Sequence, residues 1–232
     1  MKKQIVSLAA AVFAAGAVLT ANPAAAAEIS VTYKVTFNGT WSKATHPTEF
    51  PKGAHFSGLI GTTHNGGYVL FKTGKLATRG LKNLSEKGQH SPFDAEIRAA
   101  ITAGTAGTLI ETGPIFNPPG ASSVTFKADR RHPMVSLAAM IAPSPDWFAG
   151  VRNVRLFANG KWIMRTTVTV YAYDAGTDDG RTYQAANKES KPWKAVRLNG
   201  SRHFKQGGKR VAVGTLTFEQ ISNPAQQGMM RK

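Results

Sequence analysis

The sequence predicts an all-β protein built as an antiparallel β-sandwich of six to nine strands. Three observations support this prediction. Apolar and polar residues alternate strictly over residues 29–38, an Asn159-Gly160 dipeptide separates two β-rich runs, and helical periodicity is scarce. Period-two alternation is typical of a half-buried strand, and Asn-Gly favours the type I′ turn of a β-hairpin.

The first 27 residues are not expected to belong to this sandwich. Lys2 and Lys3 precede an apolar run of 15 residues, Ile5–Leu19, and Ala25–Ala27 provides small residues at a cleavage site. This order is typical of a secretory signal peptide cleaved before Glu28. The run is also shorter than the ~20 residues that span a bilayer. We therefore expect an exported protein, periplasmic or extracellular, with no transmembrane segment in its mature form.

The remaining chain divides into strands and two short helices. A helix is expected to begin after an N-cap at Ser91 and to end near Ala103, and a shorter one covers Leu81–Lys87. No repeat or long linker interrupts the chain, so we expect one domain over residues 28–223 and a flexible tail at 224–232. The predicted strands are residues 29–38, 68–72, 122–128, 134–142, 153–158, 161–173 and 210–218.

Charge and cysteine content limit the possible functions. The chain has 29 Lys and Arg against 13 Asp and Glu, and its net charge of +16 becomes +14 (16 minus 2) once Lys2 and Lys3 are removed. Such a charge favours an acidic partner. Export argues against nucleic acid and leaves an acidic glycan or an anionic envelope surface. The absence of cysteine excludes a disulfide framework, a thiolate metal site and a cysteine nucleophile.

Four of the six aspartates of the mature chain fall in two loops, each of which follows a predicted strand. They are Asp146 in the first loop and Asp174, Asp178 and Asp179 in the second. If the preceding strands run the same way in one sheet, or lie in facing sheets, the carboxylates converge at one end. Such a cluster is unfavourable unless a cation compensates it, and Ca²⁺ prefers six to eight oxygen ligands.

These loops also fit an ordinary structural role. Asp and Gly suit turn geometry, and either loop taken alone is more typical of a solvated turn than of a metal site. The loops contain neither Cys nor His, which argues against zinc.

Several stretches of the chain resemble a known family. Ala142–Val151 and Tyr171–Gly180, which contain the acidic loops, look like the two signature stretches of the spondin N-type domain. Tyr33–Ser42 and Gly74–Gly88 are similar to earlier parts of the same domain, so the resemblance covers about residues 30–180 in the right order. It implies an eight-stranded antiparallel β-sandwich of C2-like topology, with a Ca²⁺ ion held by loops at one end.

The resemblance also implies roles for individual residues. Its metal aspartates fall on Asp146, Asp174 and Asp178, and the backbone carbonyl of Ala175 is a further candidate ligand. Asp179 is expected outside the ligand set, as a neighbour of the ligands or facing solvent. Three carboxylates on one Ca²⁺ imply a dissociation constant on the order of 10⁻⁴ M or somewhat tighter. Trp147, beside the first aspartate, is expected to pack beneath the metal loop.

A basic segment follows the acidic loops. It is a candidate patch for anionic lipid or acidic glycan, although an ordinary solvated face accounts for it equally well. Its members are Lys188, Lys191, Lys194, Arg197, Arg202, Lys205, Lys209 and Arg210.

These features together predict an exported, non-enzymatic Ca²⁺-binding module for adhesion or for envelope or extracellular interaction. One alternative is a binder of anionic lipid or acidic glycan in which calcium is purely structural. A second alternative is a metal-dependent hydrolase that uses the acidic loops. The sequence offers this hydrolase neither a GxSxG motif nor a histidine pair at helical metal spacing.

Overall fold

The computed structural model of the protein describes residues 30–222. The predicted signal peptide at 1–27 and the predicted tail at 224–232 lie outside these residues. The strands are β1 Val31–Gly39, β2 His55–Phe56, β3 Ile60–His64, β4 Ala106–Glu111, β5 Ile115–Phe116, β6 Gly120–Ala128, β7 Met134–Ala142, β8 Trp147–Arg155, β9 Phe157–Ala158, β10 Lys161–Trp162, β11 Arg165–Asp174, β12 Arg197–Leu198, β13 Lys205–Gln206, β14 Lys209–Arg210 and β15 Gly214–Ser222. The helices are α1 Arg79–Lys87, α2 Phe93–Thr102 and a 3₁₀ turn at Arg202–Phe204.

Eight strands form one antiparallel path that nearly closes on itself. Their order is β4-β3-β7-β8-β11-β15-β1-β6. The two ends of the path meet where the Thr108 hydroxyl of β4 donates a hydrogen bond of 2.8 Å to the Lys127 carbonyl of β6. The curled sheet therefore leaves little unpaired edge. This architecture confirms the prediction of an all-β antiparallel fold with two short helices.

The main core lies inside the curled sheet. Tyr33, Val35 and Phe37 of β1 share one buried cluster with Leu137 and Ile141 of β7. Because β1 and β7 are four places apart in the strand order, their side chains meet only when the sheet folds back on itself. The alternation of buried and exposed residues along β1 follows from this inward face.

The two helices cover the outer face of β3, β7 and β8. Leu84 of α1 and Ile97 of α2 are buried in a second cluster with Phe148 of β8. The helices approach closely at Gly80, where an added Cβ would lie 2.5 Å from the Cα of Phe93. Across residues 30–222, no helix has both the length and the apolar character to cross a bilayer.

Two predictions about local structure were wrong. Tyr68–Lys72 is an irregular segment and not a strand, and its Phe71 ring packs against Phe148 at a centroid distance of 5.0 Å. Leu70 and Phe71 are buried in this connection, whereas Val69 is exposed. At α2 the cap position belongs to Pro92 and not to Ser91, and no side chain caps this helix.

The hairpin predicted at Asn159-Gly160 is confirmed. Asn159 and Gly160 have φ angles of 51° and 75°, and they join the short strands β9 and β10. The runs predicted on either side are divided differently in the structure, and the long strands β8 and β11 lie outside this small hairpin. Strands β3 and β4 were not predicted. All of β3 is buried, so it shows no alternation.

Candidate metal centre

Sheet topology brings the two acidic loops to one edge. Strands β7 and β11 lie on either side of β8 and are both antiparallel to it, so they run in the same direction and end at the same edge. The register pairs Trp147, the first residue of β8, with Asp174, the last residue of β11. Asp146 therefore lies next to the start of the second loop. A hydrogen bond of 3.1 Å from the Ala175 amide to the Asp146 carbonyl joins the two loops.

Asp146 is the most deeply buried acid of the cluster, with no exposed surface. Its Oδ2 accepts hydrogen bonds from the backbone amides of Thr177 at 2.7 Å and Asp178 at 3.2 Å. Its Oδ1 is buried and has no hydrogen-bond partner. Burial, followed by the charges of Asp174 and Asp178, raises the pKa of Asp146 to about 7. An orphan carboxylate oxygen is costly in a folded protein, and a cation would compensate it.

The other two predicted ligands are each held by two donors. Asp174 accepts from the Gly176 amide at 3.0 Å and from the Arg197 guanidinium at 2.8 Å. Asp178 accepts from the backbone amides of Gly180 at 2.6 Å and Lys188 at 2.8 Å. These contacts fix the loop and partly neutralise its carboxylates.

Gly176 allows the second loop to pack against the segment that follows it. Its φ of 76° lies in the left-handed region, and an added Cβ would lie 2.2 Å from the Lys194 carbonyl oxygen. The Lys194 amide in turn donates a hydrogen bond of 2.7 Å to the Gly176 carbonyl. The basic segment is thereby fastened directly to the acidic loop.

Asp179 and Trp147 lie beside the three aspartates. Asp179 accepts from the Ser190 hydroxyl at 2.6 Å and pairs with the Lys194 ammonium, and both contacts lower its pKa. It therefore fastens the loop to the basic segment. The Trp147 ring is buried in an aromatic cluster with Tyr183, His203 and Phe204, at centroid distances of 5.2 to 5.4 Å.

The donor set fits a hard cation, although it is not a preformed metal centre. No three acidic, histidine or cysteine side chains within residues 30–222 are already arranged around one metal position. The reason is that Asp174 and Asp178 turn toward local amides and Arg197. All the same, the candidate ligands are oxygens, and a cation bound to the unpartnered Oδ1 of Asp146 would balance its charge. The predicted role of the Ala175 carbonyl stays a prediction.

The eight residues of the predicted basic patch fall in three settings. The first group, Lys188, Lys194 and Arg197, lines a cleft of about 360 Å³ together with the second acidic loop. The second group is paired with acids, Arg202 with Glu49 and Lys191 with Glu189. The third group is exposed on the small β13–β14 hairpin and consists of Lys205, Lys209 and Arg210.

Sequence reasoning missed three contributors to the site. Thr177 donates to Asp146, Arg181 lines the cleft, and Asn199 is buried with an unpartnered amide nitrogen. Thr177 lies inside the second acidic loop, and neither Arg181 nor Asn199 belongs to a metal-site motif. Arg197 was predicted as a surface residue, and its pairing with Asp174 depends on the β11–β12 register, which the sequence does not show.

The structure also contains a Ser–His pair, which is unsuited to catalysis. Ser136 and His64 lie 2.8 Å apart, and both are completely buried. The His64 Nδ1 lies 2.9 Å from the Asn65 carbonyl, and Ser136 accepts from the Asn153 amide. The pair thus joins neighbouring strands, and no substrate reaches it.

Comparison with known proteins identifies the family. The chain matches the Spondin_N family over residues 31–207. It is 31% identical to Spondin-1 of Gallus gallus over 208 residues, which cover 84% of this chain and 26% of that protein. It is 32% identical to Spondin-2 of Homo sapiens over 198 residues, covering 82% of this chain and 58% of that protein. The chain thus spans about a quarter of the Spondin-1 relatives and just over half of Spondin-2. The match over most of the chain shows that this protein belongs to the Spondin_N family.

Proposed function

We propose that the protein is an exported calcium-binding module for adhesion or for envelope or extracellular interaction, and that it acts without enzymatic turnover. Membership in the Spondin_N family supports the extracellular adhesion role. The N-terminal segment at 1–27 supports export. The observation that carries the metal assignment is the buried, unpartnered Oδ1 of Asp146 beside two further aspartates.

Calcium would be held by Asp146, Asp174 and Asp178. Its charge would balance carboxylates that otherwise repel one another, and it would thereby rigidify the loops at this edge. Asp146 and the second loop are already joined through backbone amides, so the protein itself orients the first carboxylate. The Arg197 guanidinium is the internal cation with which the metal would compete at Asp174.

The test is a calcium titration of protein passed over a chelating resin, followed by calorimetry and thermal melting. We expect a dissociation constant on the order of 10⁻⁴ M or tighter, and a melting temperature that rises with calcium. Mg²⁺ is the control ion and should bind more weakly, because it is smaller than Ca²⁺ and requires nearly ideal octahedral coordination. Unchanged melting in wild type and Asp174→Asn at ~10 mM calcium would contradict the proposal.

A second candidate function is binding to an anionic surface, with calcium purely structural. It is favoured by the β13–β14 hairpin, where Lys205, Lys209 and Arg210 are exposed and make no ion pair with other described residues. Sedimentation with anionic vesicles at two salt concentrations tests it, because such binding weakens steeply as salt rises.

A further inference from the structure

A second cleft, next to the acidic loops, has the features of a ligand site. Its volume is about 300 Å³, at the lower end of ligand pockets. Asp174 and Gly180 line both clefts, while Trp147 and Asn199 line only the second. Asp146 and Asp178 do not line it, so it stands apart from the buried aspartate.

Two arginines flank this cleft. Arg181 is exposed and makes no hydrogen bond or ion pair with another described residue. It follows Gly180, whose amide is fixed by Asp178, so its backbone has a defined position. Arg197 uses one nitrogen for Asp174, and more than half of its side chain is exposed. Each guanidinium has five N–H groups, so both retain donors for a carboxylate.

The side chain of Asn199 is a second, independent observation that favours a ligand in this cleft. Its side chain is almost completely buried, at 2% exposure. Its Oδ1 accepts from the Ser201 amide at 2.9 Å, which fixes the orientation of the side-chain amide. The Nδ2 is buried without an acceptor. Asn199 lines the cleft, and an unsatisfied buried donor is costly, so an acceptor oxygen supplied by a ligand would stabilise this side chain.

We propose that this cleft binds one acidic sugar unit, with its carboxylate on Arg181 and Arg197 and a sugar oxygen on Asn199. Ser201 and the mostly buried Trp147 also line the cleft, and a mixed polar and apolar lining is typical of ligand sites. Asp174 lines the same cleft, but its charge is balanced by Arg197, and Arg181 keeps an unpaired positive charge for the sugar carboxylate.

The cleft suits a glycan better than a lipid bilayer. A bilayer would engage exposed apolar side chains together with the arginines. None of the large apolar side chains exposed on the described residues lines this cleft. They are Val69, Leu76, Phe116, Met164 and Ile221.

The inference goes beyond the proposed calcium binding and does not require the metal. The test therefore uses purified protein in buffer depleted of metal with a chelating resin, since soluble chelators are themselves polycarboxylates. The probe is trigalacturonic acid, and neutral trigalactose is the control ligand. Binding is measured by calorimetry at ~0.05 M and ~0.15 M salt. We expect the acidic trimer to bind at both concentrations and the neutral trimer not to bind.

Three variants and one control locate the site. Arg181→Gln removes an exposed, unpaired cation and should weaken trigalacturonate binding about tenfold. Asn199→Asp keeps the acceptor for Ser201 but removes the donor and adds a negative charge, so binding should be lost. Arg165→Gln removes the same charge at the opposite end of β11, roughly 30 Å away, and should leave binding unchanged. Arg181→Lys keeps the charge but loses the two-pronged guanidinium geometry, so it should bind severalfold more weakly than wild type. Circular dichroism is used to check that each variant is folded.

Three results would overturn the proposal. The first is equal weakening by Arg181→Gln and Arg165→Gln, which would mean that only the overall charge matters. The second is binding of inorganic phosphate or anionic vesicles, with the same dependence on Arg181, in the absence of trigalacturonate binding. The third is unaltered trigalacturonate binding in a folded Asn199→Asp protein. A failure of calcium binding affects none of these measurements, because no calcium is present.

Discussion

The Arg197 guanidinium donates a hydrogen bond of 2.8 Å to Oδ2 of Asp174, the residue that ends β11. A cation of the protein therefore already lies on one of the three carboxylates assigned to calcium. Asp174 is mostly buried, whereas Arg197 is largely exposed, so the aspartate depends on the pair more than the arginine does.

The first prediction concerns this pair. Arg197→Gln should lower the stability of metal-free protein by about 1 kcal/mol, because Asp174 loses a charged donor. It should also tighten calcium binding severalfold, since a competing cation is removed. Thermal melting and calorimetry measure the two effects. Lys191→Gln, which removes an exposed lysine paired with Glu189 at 3.5 Å, is the matched control and should change neither. Weaker calcium binding in Arg197→Gln would contradict this prediction.

The second prediction concerns Asp146→Asn, whose effect on stability should depend on whether calcium is present. In metal-free protein at pH 8, Asp146→Asn should raise stability by about 1 to 3 kcal/mol, because a buried charge with an orphan oxygen is replaced by a neutral amide. With calcium present the variant should gain no stability, while wild type does. Melting temperatures with and without calcium test this. Asp179→Asn removes the same charge from a carboxylate bound to Lys194 and should keep the calcium response. A full calcium response in Asp146→Asn would disprove the assignment of this ligand.

The third prediction concerns the backbone at Gly176. Gly176→Ala should destabilise the protein by about 2 to 4 kcal/mol, because its φ is 76° and its Cβ would collide with the Lys194 carbonyl. Chemical denaturation measures the loss. At Gly113 an added Cβ has no neighbour within 4 Å, so Gly113→Ala should have little effect. Similar stabilities for the two variants would show that the close packing of the loop is not required.

The fourth prediction is a loss of stability in acid through His46. Burial lowers the pKa of His46 to about 4, so the folded protein favours the neutral ring. Its contribution is fully present above the unfolded pKa of about 6.5 and is lost as pH falls toward 4, by about 2 to 4 kcal/mol. His46→Gln should therefore show a shallower decline in stability between pH 7 and 4 than wild type.

Denaturation curves at several pH values measure that decline. His55→Gln is the control, because His55 is only half-buried, with a ring hydrogen bond to the Gly53 carbonyl and a ring contact with the exposed Phe116. It should keep the wild-type decline. Parallel curves for His46→Gln and wild type would assign the acid sensitivity to other groups.

Local patterns predicted much of the sheet. The alternation in β1 marks its buried face, and Asn159-Gly160 marks the turn between β9 and β10. A strand buried on both faces carries no alternation, and for this reason β3 was missed. Tyr68–Lys72 shows the converse error, since an irregular connection can bury apolar side chains, here Leu70 and Phe71, without being a strand.

The order of amino acids alone was enough to show that four aspartates are concentrated in two loops, and the family resemblance attached a calcium role to three of them. Only the tertiary structure decided which residues lie beside these aspartates. The order of β7, β8 and β11 places Asp146 beside the second loop, and the β11–β12 register places Arg197 on Asp174. Hydrogen-bond partners and burial depend on contacts between residues far apart in the chain, and no local pattern encodes those contacts. An unpartnered oxygen on Asp146 and an unpartnered nitrogen on Asn199 therefore exist only once the contacts have formed.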